Sequence, residues 1–72
     1  MLYFLYEDKS LKKVVIYETS KKYLDVKIEL EIKQGYKIIG CFGRKDYAEH
    51  WLKYHNGQIS LKEHKKFLDI YP

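Results

Sequence analysis

Leu24-Asp25-Val26-Lys27-Ile28-Glu29-Leu30-Glu31-Ile32-Lys33 alternates apolar and charged side chains for ten residues without a break. Period two puts every apolar group on one face of an extended chain, so the stretch reads as a strand with one buried and one wet side. The loop Lys33-Gln34-Gly35 follows, with glycine where a three-residue hairpin turn needs a left-handed residue. That turn would set Ile32 opposite Tyr36, Leu30 opposite Ile38, Ile28 opposite Gly40 and Val26 opposite Phe42, with all apolar groups on one side. A competing reading makes residues 20–34 a helix capped by Ser20 and ended by Gly35, since Glu and Lys favour helices. The hairpin is the expectation, because alternation and glycine placement agree on it.

Upstream, Leu2–Tyr6 and Lys13–Tyr17 are short, aromatic and β-branched, and a polar turn at residues 7–10 separates them; they read as a hairpin. Downstream, the period changes. Tyr47, Ala48, Trp51, Leu52 and His55 recur at helical spacing, and Asn56-Gly57 supplies a left-handed stop. Ser60-Leu61-Lys62-Glu63 opens a second helix with a capping box, and Leu61, His64, Phe67, Leu68 and Tyr71 line its expected inner face. The expected fold is a single α+β domain over residues 1–72. It has a four-stranded antiparallel sheet followed by two C-terminal helices packed on one face, making two layers.

The 72 residues are 46% hydrophobic, 17% aromatic and 33% charged, which suits a folding chain rather than a disordered one. Cys41 is the one cysteine, so no internal disulfide forms. The N-terminus has six apolar residues followed by Glu7 and Asp8, without the basic start or small-residue site of a secretory signal. No apolar run nears the roughly 18–20 residues that cross a bilayer. The expectation is therefore a cytoplasmic protein with no membrane partner. Chains this short bury only about 60% of their unfolded surface, and an unprotected edge strand makes a homodimer an expected way to gain stability.

The net charge of +4 is almost all lysine, with Arg44 the only arginine. Residues 1–36 hold seven basic and six acidic groups, residues 37–72 seven and four, so any pull on anions belongs to the C-terminal half. An A/T-rich coding sequence yields the same Lys, Ile and Tyr excess with no functional pressure. The segment Gly40-Cys41-Phe42-Gly43-Arg44-Lys45 runs from a strand into a helix. Free amides at a helix start attract anions, while Arg44 and Lys45 put positive charge where the helix dipole opposes it. Gly43, Arg44 and Lys45 are thus the candidate contact for an acidic group on a partner. Over eight residues, Ile38 to Lys45 resembles the glycine loop of K-homology RNA-binding modules, which would imply a clamp on nucleic-acid backbone. It departs from them by placing Cys41 and Phe42 between the glycines and by following a strand.

No catalytic set is legible. Cys41 beside Phe42 reads as a small buried hydrophobe rather than a nucleophile. His50 and His55 are five apart and diverge on a helix, and His64 lies on another, so neither a metal site nor any cofactor is expected. Tyr3, Tyr23 and Tyr54 fall off the expected core face and are candidate surface aromatics for a partner. The expected function is a non-enzymatic module that binds another protein, of the kind found among phage and mobile-element accessory or inhibitor proteins. The alternative is a weak nucleic-acid binder using the Gly40–Lys45 turn and the basic C-terminal half.

Overall fold

A computed structural model describes residues 1–70 of the chain. The described residues form three strands, β1 (Leu2–Asp8), β2 (Lys13–Thr19) and β3 (Lys37–Phe42). Helix α1 (Tyr23–Lys27) runs on as a π-helical segment, Ile28–Lys33, and helices α2 (Lys45–His55) and α3 (Leu61–Ile70) follow β3. The sheet is antiparallel with order β2-β1-β3. The α+β class and the first hairpin agree with the sequence. The four-stranded sheet does not, because residues 24–33 are helical and β3 pairs with β1.

The central strand explains why. Leu5 pairs with Ile16 on one side and Gly40 on the other, and its neighbour Phe4 pairs with Tyr17 and Cys41. Adjacent residues of a strand face opposite sides, yet Phe4 is 0% and Leu5 1% exposed. A sheet buried on both faces needs a cover on each. Val26 and Leu30, one helical turn apart, close over Phe4, with Leu2, Tyr6, Tyr17, Tyr36 and Ile38 packed around them. On the other face α2 crosses the strands, burying Ala48 and stacking Trp51 on Phe42 with ring centroids 6.3 Å apart. Helices therefore cover both faces, and the expected two layers become three. Each fully buried side chain of this size contributes roughly 1.5–3 kcal/mol.

Local chemistry directs the chain at each joint. Asp8 Oδ1 accepts hydrogen bonds from the amides of Ser10 (2.9 Å) and Leu11 (3.1 Å), closing the first hairpin with Lys12 left-handed at φ 54°. Thr19 is buried, and its Oγ1 accepts from the Lys21 amide (3.1 Å) as the chain leaves the sheet. Gly35 is left-handed at φ 74°, as the hairpin reading requires, but it ends a helix: the Tyr36 amide reaches back to Leu30 O at 2.8 Å. An extra residue in β3, Ile39, falls where the pairing steps from Leu5–Gly40 to Tyr6–Ile38.

Two helices follow β3 as expected, and the stop of the first and the start of the second fall where the sequence signals put them. Gly57 is left-handed at φ 72°, and the amides of Gly57 and Gln58 bond to Tyr54 O (3.1 Å) and Lys53 O (2.8 Å) in a Schellman stop. The Glu63 amide donates to Ser60 Oγ (3.2 Å), half of the expected capping box, and the Ser60 hydroxyl donates to Glu63 Oε1 (3.3 Å). On α3 His64 is buried and Phe67 half-buried, whereas Leu61 and Leu68 are exposed; Tyr71 lies outside the described residues.

Candidate functional site

The strand-to-helix turn carries an ion pair of its own. Arg44 precedes α2 in extended conformation, and its Nη2 and Nε donate to Asp46 Oδ2 (2.7 Å) and Oδ1 (3.1 Å). Its guanidinium also lies 5.2 Å from the centre of the Tyr47 ring. Asp46 in turn accepts from the Tyr47 amide (3.0 Å), so a carboxylate of the chain itself stands at the helix start. Asp46 is thus an internal acidic neighbour for Arg44, an exposed pair at the surface. Lys45 is exposed, and Gly43 sits in open space without a left-handed φ. Gly40 has a packing reason: a Cβ there would lie 2.8 Å from the Phe42 ring.

Cys41 is exposed on the edge strand β3 instead of buried, and partial desolvation raises its thiol pKa above the ordinary value. At neutral pH it stays protonated, which is the opposite of an activated nucleophile. The three tyrosines part company. Tyr23 is exposed, with its ring 5.7 Å from Phe4; Tyr3 is half-buried; Tyr54 stacks on His64 at 3.9 Å inside the α2–α3 joint.

That joint brings together histidines the spacing had separated. His50 Nε2 lies 2.9 Å from His64 Nδ1, one nitrogen donating and the other accepting. His50 stacks on Phe67 at 3.7 Å, and Trp51 meets His64 edge-on at 4.4 Å. Burial, then His64, then Lys53 hold the His50 pKa below its ordinary value. His50 lines a shallow groove with Asp46, Glu49, Lys53 and Glu63, while His64 is buried behind it. Among the described residues, no three His, Cys, Asp or Glu side chains gather as a metal set.

One open apolar surface is made of residues that the sequence reading assigned to the core. A helix turns about 100° per residue, so alternate positions fall into two rows on opposite sides. Val26 and Leu30 form the inner row. Leu24, Ile28 and Ile32 form the outer one and are 65%, 38% and 73% exposed. Lys21, Asp25, Glu29 and Lys33 run beside it, with Lys21 Nζ on Glu29 Oε2 at 2.8 Å. Strict alternation held this signal all along: in a helix it makes two apolar stripes, and one core can take only one of them. The segment is also partly π-helical, a geometry that recurs at functional sites.

No helix among the described residues is long and apolar enough to cross a membrane. No protein-family model, curated protein or solved structure matches this chain.

Proposed function

We propose that the chain is a non-enzymatic protein-binding module whose contact surface is the outer face of α1 and its π-helical continuation. The observation that carries this is the row Leu24, Ile28 and Ile32, apolar at four-residue spacing and open to solvent beside a band of mixed charge. Scattered exposed apolar groups are ordinary, whereas a contiguous row with a polar rim has the anatomy of an interaction surface. Both signs of charge in the rim favour a protein partner over nucleic acid, which calls for an excess of positive charge.

The test is capture of the partner from the native host by the wild-type chain and by two double variants. Leu24→Asp with Ile32→Asp removes the apolar row at exposed positions and is expected to lose the partner with the fold intact by circular dichroism. Arg44→Glu with Lys45→Glu is expected to retain it. The reverse pattern would move the site to the strand-to-helix turn and overturn the reading.

A further inference from the structure

The Asn56 side chain spans 42 residues of sequence to hold Val14: its Oδ1 accepts from the Val14 amide at 2.8 Å and its Nδ2 donates to Val14 O at 2.9 Å. This is the donor–acceptor pair that a neighbouring strand would present. It also fixes which way the strand faces. β1 pairs with β2 in unbroken register, so the Val14 amide and carbonyl point away from it, toward the free edge. Strand backbone groups alternate in direction, so those of Ile16 and Glu18 point the same way. Asn56 occupies the first of these three positions, and Lys13 guards the same end with charge. Among the described residues, Ile16 and Glu18 have no such cover.

Beside Lys12 to Ile16 runs an open groove of about 680 Å³ between β2 and the end of α2. Val14, Val15, Ile16 and Leu52 give it an apolar floor, while Lys12, Lys13 and His55 outnumber Glu7 among its ionisable groups. We infer that the outer edge of β2 docks an extended peptide segment that adds as a fourth strand, bonding its backbone to Ile16 and Glu18. An apolar side chain of that segment faces Leu52, and acidic residues meet Lys12 and Lys13. Main-chain bonds hold such a segment, and the side chains that alternate into the groove select it. The surface is independent of the outer face of α1.

The experiment is a nuclear magnetic resonance titration of the labelled chain with a blocked octapeptide of valine and threonine ending in two aspartates. The expected result is saturable shifts centred on Ile16, Glu18, Leu52 and His55, with slowed exchange of the Ile16 and Glu18 amides. A matched peptide ending in two lysines is expected to bind roughly tenfold or more weakly, and Lys12→Asn with Lys13→Gln to remove that difference. A peptide methylated on alternate backbone nitrogens is expected not to bind. Three results would overturn the proposal: no shift at millimolar peptide, shifts confined to Leu24–Ile32, or protection of Ile16 and Glu18 that rises with protein concentration alone. The last would give the edge to a second copy of the chain.

Discussion

His50 and His64 share one hydrogen bond at 2.9 Å, and the bond needs at least one neutral ring. Burial, His64 and Lys53 all disfavour a charged His50, and Asp46, Glu49 and Glu63 line the groove beside it. Above pH 6.5 both folded and unfolded chains carry a neutral His50 and the effect is silent. As pH falls below 6.5 the unfolded chain takes up a proton that the folded chain resists, so stability declines toward the depressed folded pKa. Thermal melts at pH 7.5 and 5.0 are therefore expected to show a lower midpoint in acid. His50→Gln should flatten that dependence; an unchanged slope would place its origin elsewhere. Gly40 makes a second residue-level case. A Cβ would sit 2.8 Å from Phe42, whose ring is stacked on Trp51, so Gly40→Ala is expected to cost about 1–3 kcal/mol in urea denaturation. Gly43→Ala, with nothing within 4 Å, is the control expected to change little.

Element boundaries were legible wherever one local rule pointed to one structure. The hairpin of β1 and β2, the Gly57 stop and the Ser60–Glu63 cap all follow from nearby residues. Residues 24–33 were not, because alternation fits a half-buried strand and a helix with two stripes equally, and Gly35 serves either a hairpin or a helix end. The deciding fact lay elsewhere in the chain: Leu2 to Tyr6 is apolar on both faces, which marks a central strand needing a helix on each side. The outer row of α1 stayed hidden for the same reason, and the His50–His64 contact depends on how α3 meets α2. Substitution distinguishes the two readings directly. In a hairpin Leu30 and Ile32 would share the buried face and cost alike. In the helix Leu30 is 4% and Ile32 73% exposed. Leu30→Ala is expected to cost about 2–4 kcal/mol and Ile32→Ala less than about 0.5 kcal/mol by chemical denaturation.

Across the whole molecule, stability is unevenly spread. β1 is hydrogen-bonded on both edges, and its Phe4 and Leu5 are buried beneath helices on opposite faces. No local motion exposes those amides without dismantling two layers, so they are expected to exchange with solvent only through global unfolding. α3 is at the other extreme. It packs chiefly against α2, held by the His50–His64 bond and by the stacks of Tyr54 on His64 and His50 on Phe67, while Leu61, Leu68 and Ile70 stay open to solvent. Detachment of α3 would break that joint and leave the sheet and its two covering helices in place. Hydrogen exchange is therefore expected to show amides in α3 opening at lower free energy than those of β1. The joint is also where protonation of His50 is resisted, so α3 protection, corrected for intrinsic rates, should fall between pH 7 and pH 5 together with that of β1, since both openings free the same imidazole. Equal protection of α3 and β1 at both pH values would show that the last helix opens only with the whole fold, and that the histidine pair is no more than one contact within a single cooperative unit.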